Sequence, residues 1–119
     1  MTGFTIKHMD EFERPFPKWA LARRSLGVES FGINVVELSS GEDIPEHDET
    51  GRDHEEVFIV LSGEPTMVID GEDHPARAGT FVRVDPEPSR TVRNDGDGLA
   101  TVLIVSAPRS SGYEPLDWA

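Results

Sequence analysis

Apolar and polar residues alternate in short runs along the chain, and every few residues the run is broken by Gly, Pro, Asp or Asn. That pattern predicts short strands joined by tight turns, the signature of an all-β sandwich or barrel. Strands are expected at Ala20–Leu26, Phe31–Leu38, Glu55–Leu61, Thr66–Ile69, Thr80–Val84, Arg90–Arg93 and Leu99–Ala107. The segments "SSGEDIP", "SGEP", "DGEDHPARAG", "DPEPS" and "NDGDG" between them carry turn chemistry. In "IDGED" the Asp70-Gly71 pair tolerates positive φ and predicts a tight hairpin. Met9–Phe16 reads as a short helical turn stopped by Pro15 and Pro17.

Successive side chains of a strand point to opposite faces, so Glu56, Phe58 and Val60 share one face and Glu55, Val57, Ile59 and Leu61 the other. An extension by one residue brings His54 onto the Glu56 face, and His47 shares a face with Glu49 by the same rule. Both faces of Glu55–Leu61 are apolar beyond its start, which places it inside a sheet rather than at an edge.

With 119 residues the chain is long enough for one domain with its own core. A formal charge of −12 repels phosphate backbones, so no nucleic-acid partner is expected. No apolar run approaches the length of a membrane span, and "MTGFTIKHMDEF" lacks a signal peptide's basic start and apolar core. No membrane partner and a cytoplasmic location are therefore expected. With no cysteine, any metal would have to be held by His, Asp or Glu.

The stretch "GEDIPEHDETGRDHEEVFIVLSG" concentrates two histidines and several acids ahead of an apolar strand. It resembles the first signature motif of the cupin superfamily, with Gly41, His47, Glu56 and Gly63 at motif positions. The loop between His47 and Glu56 is about two residues longer than the motif. The segment "EPTMVIDGEDHPARAGTFVRVDPEPSRTVRN" resembles the second motif through Gly79, Pro86 and Asn94. The resemblance covers about residues 31–105. It implies a single cupin domain over residues 1–119, a double-stranded β-helix or jelly-roll barrel. Residues 1–19 and 108–119 would pack on the barrel or on a partner, with Trp118 docking there. It also implies a homodimer.

Cupins commonly hold iron, manganese, nickel or zinc with two His and a Glu from the first motif and a His from the second. Here His47 and Glu56 match, Glu49 stands where the second His would be, and Arg90 where the last would be. Two functional readings stay open. In the first, the barrel binds a small molecule, and Arg90, His47, Glu56 and Phe58 contact a polar or anionic ligand. In the alternative, a metal-dependent enzyme of dioxygenase, isomerase or decarboxylase type uses His47, Glu49, His54 and Glu56 to hold the ion. Against the alternative stands Arg90. At about 4 Å and an effective dielectric near 20, a guanidinium repels each unit of metal charge by roughly 4 kcal/mol. A structural ion pair between Arg90 and Glu56, with no ligand at all, would account for both buried charges. The other histidines, His8 and His74, read as exposed.

Overall fold

The computed structural model describes residues 2–119, which form eight strands in two antiparallel sheets. The strands are β1 (Trp19–Ala20), β2 (Gly32–Leu38), β3 (His54–Ser62) and β4 (Thr66–Ile69), followed by β5 (Glu72–Pro75), β6 (Phe81–Val84), β7 (Arg90–Arg93) and β8 (Ala100–Pro108). One sheet has the order β1-β2-β8-β3-β6 and the other β5-β4-β7. Both meet over a core that includes Val36, Leu38, Phe58, Val60, Met67, Val92 and Val102. This is the expected jelly-roll architecture. Burying a side chain the size of Phe58 contributes about 1.5–3 kcal/mol.

The alternation along β3 holds, with Glu56, Phe58 and Val60 buried and β3 lying between β8 and β6. Strands β4 and β7 have the expected bounds, and the Asp70-Gly71 turn joins β4 to β5, a strand the sequence pattern did not mark out. Asp70 takes a positive φ of 50°, as the turn demands. Gly63 also needs its lack of a side chain. Its φ is 82°, and a Cβ there would lie 2.7 Å from the Leu99 carbonyl oxygen and 2.8 Å from Ala100 Cα.

Two expectations are corrected. The strand expected at Ala20–Leu26 is β1 followed by a helix, α1 (Ala22–Leu26). The helix ends at Gly27, whose φ of 77° and bonds back to the Arg23 and Arg24 carbonyls form a left-handed C-cap. The alternation of "ALARRSLG" fits a strand only until that glycine is read as a helix stop. The helical turn expected over Met9–Phe16 is a single 3₁₀ turn, Met9–Glu11. At the other terminus Trp118 is 85% exposed and does not dock on its own barrel.

Candidate functional site

His47 and Glu49 reach the barrel interior through a local irregularity. The segment before β3 runs antiparallel to β7, with Asp43 opposite Arg93 and His47 opposite Arg90. Four steps on one side match three on the other, so the segment carries one extra residue, a β-bulge at Ile44–Glu46. The bulge reverses which side chains face inward. Ile44 is buried, Pro45 and Glu46 are exposed, and from there the odd-numbered His47 and Glu49 turn in. Pro45 suits such a break because it has no N–H for a ladder. Beyond the bulge the Arg90 amide donates to the His47 carbonyl at 2.8 Å, and the Glu49 amide donates to the Pro86 carbonyl at 2.9 Å.

Glu56 enters from β3 and Arg90 from β7, so four side chains from three segments converge. His47 Nε2 lies 3.4 Å from Glu49 Oε1 and 3.8 Å from Glu56 Oε1. One ligand atom from each of His47, Glu49 and Glu56 can be chosen so that all lie within 4.8 Å of one another. Arg90 Nη1 is 3.5 Å from Glu56 Oε1, an ion pair without hydrogen-bond geometry. Its Nη2 donates to the Asp85 carbonyl. Arg90 Nε and Nη1 and Glu56 Oε1 are buried without hydrogen-bond partners. Burial, followed by the neighbouring Glu49 carboxylate, raises the Glu56 pKa above its ordinary value, while Arg90 and His47 pull it down.

His47 is oriented by its other nitrogen. Nδ1 lies 2.8 Å from the Pro45 carbonyl oxygen, which can only accept, so Nδ1 carries a proton. In the neutral ring Nε2 therefore presents a lone pair to two carboxylates. The two carboxylates that this nitrogen faces are each partnered by a cation from elsewhere, Glu49 by Arg52 and Glu56 by Arg90. An imidazole bonded through one nitrogen to a carbonyl is also the usual way a metal-binding histidine is aimed.

The site opens into a cavity of about 490 Å³. His47, Glu49, Glu56 and Phe58 line its inner wall, and Trp19, Arg23, Arg52 and His54 lie among the residues around it. His54 shares the inward side of β3 but sits two residues, or about 6.6 Å, further along the strand from Glu56. It lines the cavity and stays outside the convergent His47–Glu49–Glu56 set. Arg90 is fully enclosed and does not line the cavity, so it meets a ligand only through Glu56.

The residue that pattern reading missed is Arg52. Its Nη2 donates to both Glu49 carboxylate oxygens, at 3.1 and 2.9 Å. The available signal was charge: Arg52 is the sole Lys or Arg in the fifteen residues from Glu42 to Glu56, a stretch with eight acids.

The sequence profile described as Cupin domain matches residues 34–106, more than half of the chain. The chain belongs to the cupin family. Among solved structures, this cupin is similar to a cupin protein from Bacteroides fragilis at 21% identity and a TM-score of 0.81, over 99% of this chain and 94% of that one. It is similar to a protein named as a sugar phosphate isomerase from a cupin superfamily, from Silicibacter pomeroyi, at 20% identity and a TM-score of 0.72, over 87% and 75% of the two chains. A predicted oxalate decarboxylase from Thermotoga maritima is similar at 22% identity and a TM-score of 0.65, over 76% and 78%. At these identities the likeness is one of fold. No curated protein matches the sequence. Among the described residues no helix is long and apolar enough to cross a membrane.

Proposed function

We propose that this cupin binds a polar small molecule in its barrel cavity, at a divalent-cation centre made by His47, Glu49 and Glu56. The observation that carries the reading is the His47 ring, held through Nδ1 by the Pro45 carbonyl with Nε2 facing two carboxylate oxygens. The donor set of one imidazole and two carboxylates suits iron, manganese, nickel or zinc. Glu56 Oε1, buried without a hydrogen-bond partner, is the kind of atom such an ion satisfies.

Arg90 weighs less against a cation than its charge alone suggests. Relative to three histidines and one glutamate, this quartet gains a carboxylate at Glu49 and a guanidinium at Arg90. The two cancel, so the quartet keeps a single net negative charge with neutral His47. Arg90 also stands behind Glu56 rather than in the cavity, so it holds that carboxylate in place from the far side. A bound ion would supply Lewis-acid polarisation of an oxygen on the small molecule. His47, Glu49 and Glu56 would hold it, and Phe58 would give the ligand an apolar wall.

The test is elemental analysis of untagged protein after incubation with each of the four metals and removal of excess. About one ion per chain is expected in the wild type and little in His47→Ala. Equal metal content in the two proteins, or none in either, would overturn the cation centre.

We also infer a homodimer through the outer face of the larger sheet. Supporting it, Leu61 and Phe81 are 51% and 68% exposed on that face, beside half-buried Ile59. The patch runs to the free edge of β6, so a two-fold-related copy covers both patch and edge in one contact. Light scattering should give twice the chain mass for the wild type and the single-chain mass for Phe81→Glu; a monomeric wild type would refute the contact.

A further inference from the structure

The loop between His47 and β3 returns a cation to the site. Thr50, Gly51, Arg52 and Asp53 form a closed turn in which the Arg52 and His54 amides both donate to the Glu49 carbonyl, at 3.2 and 3.3 Å. Asp53 takes a positive φ of 53°, and the turn folds Arg52 back over the residue it follows by three positions. The two partners are unlike in their surroundings. The Glu49 side chain is 6% exposed and the Arg52 side chain 68% exposed. Arg52 also lines the cavity, as does Arg23 of α1. Its guanidinium has no second side-chain partner among the described residues.

Arg52 thus occupies the lone pairs of a buried carboxylate that the cation centre requires. The carboxylate needs a positive partner, because a buried charge left alone is costly. The arginine has no such need, since its exposed end is solvated wherever it points. An ion arriving among His47, Glu49 and Glu56 satisfies Glu49 and frees Arg52. The freed guanidinium stays at the cavity wall, on a turn that need not move. Its planar fork fits two oxygens of a carboxylate or phosphate. In a chain of net charge −12, an anion entering this cavity needs such a local partner.

We propose that Arg52 is a placeholder cation that exchanges Glu49 for the oxyanion of an incoming ligand, so that the cupin takes small molecules bearing a carboxylate or phosphate and binds them together with its metal ion. This rests on the cation centre proposed above and adds the ligand class and the coupling. Since coupling is reciprocal, the oxyanion must tighten the metal as much as the metal tightens the oxyanion.

The experiment is calorimetric titration of Mn²⁺ into the wild type and Arg52→Gln, each with and without methyl phosphate or acetate, two weak chelators. Removing the competitor for Glu49 should tighten Mn²⁺ by about fivefold or more in Arg52→Gln, the low end of ordinary coupling. Either anion that binds should tighten Mn²⁺ in the wild type and leave the variant unchanged, and the better one identifies the preferred oxyanion. Unchanged far-ultraviolet circular dichroism would show that the variant is folded. Arg52→Lys, which keeps the charge and loses the fork, should restore competition with the metal and only part of the anion effect. Mn²⁺ binding of equal strength in wild type and Arg52→Gln, with no anion effect, overturns the exchange while leaving the cation centre intact. No Mn²⁺ uptake by either protein removes the cation centre and the exchange together.

Discussion

Arg90 and Arg93 lie three residues apart on β7, point to opposite faces of it and live under opposite rules. Arg93 is on the outside, where Nε donates to both Asp95 oxygens at 2.8 and 2.9 Å and Nη2 to Asp73 at 2.9 Å. Arg90 is fully enclosed, with Asp85 O as its hydrogen-bond acceptor, Glu56 as its ion-pair partner and two nitrogens unsatisfied. The well-bonded arginine is the dispensable one. Water solvates Arg93 whether or not its carboxylates are present, so those bonds replace others of similar strength. Water cannot replace Glu56 for Arg90, which is fully enclosed. Good geometry on the surface is thus a weak sign of importance, and poor geometry in the interior marks groups committed to a site.

The sharpest way to break this contrast is to remove each arginine in turn. Arg90→Met should lower unfolding stability by about 3–5 kcal/mol, because it leaves the buried Glu56 carboxylate without its arginine and beside the like-charged Glu49. Arg93→Met should leave the urea midpoint nearly where it was. Equal losses in the two variants would end the distinction.

A smaller effect sharpens it. Adding Glu56→Gln to Arg90→Met removes the stranded charge, and the double variant should recover most of the lost stability. A double variant no more stable than Arg90→Met would show that packing around the guanidinium, rather than the charge pair, holds this end of the barrel.

The smallest effect is in pH dependence, and the two regions should respond with opposite sign. In the metal-free protein burial and Glu49 raise the Glu56 pKa. A carboxyl raised in the fold binds its proton more tightly folded than unfolded. Its contribution to stability is full below the unfolded value of about 4.3 and is lost as pH rises through the folded pKa. Asp95 is lowered, chiefly by its bond from Arg93. Its contribution is present above the unfolded value and is lost as pH falls through the lower folded pKa. Carboxyl-carbon NMR titration should place Glu56 above the ordinary range and Asp95 below it. The reverse order would invert the assignment of buried and exposed charge.

Much of the architecture was legible in local pattern. The alternation of β3 predicted its buried face and the Asp70-Gly71 pair its hairpin. These features depend on a residue and its immediate neighbours, and so does their signal. Where two local patterns overlap, as in "ALARRSLG", the C-cap at Gly27 prevailed over alternation and made a helix. The site was legible in part. The shared face of His47 and Glu49 and the joining of His54 to the Glu56 side of β3 both hold, as does the meeting of Arg90 with Glu56. That His54 stands outside the convergent set follows from its distance along the strand, which parity alone does not measure.

By itself, then, the sequence determined an all-β cupin barrel and the residues able to carry charge into it. Tertiary structure decided how those charges are used. The one-residue bulge that turns His47 and Glu49 inward exists only against the register of β7. The enclosure of Arg90 behind Glu56 depends on two strands from different sheets meeting across the core. The return of Arg52 to Glu49 depends on a turn closing on the carbonyl of a buried residue. The physical reason is range. Backbone conformation follows from neighbours along the chain, whereas the energy of a charge is set by how completely water is excluded around it, and segments far apart in the chain do the excluding.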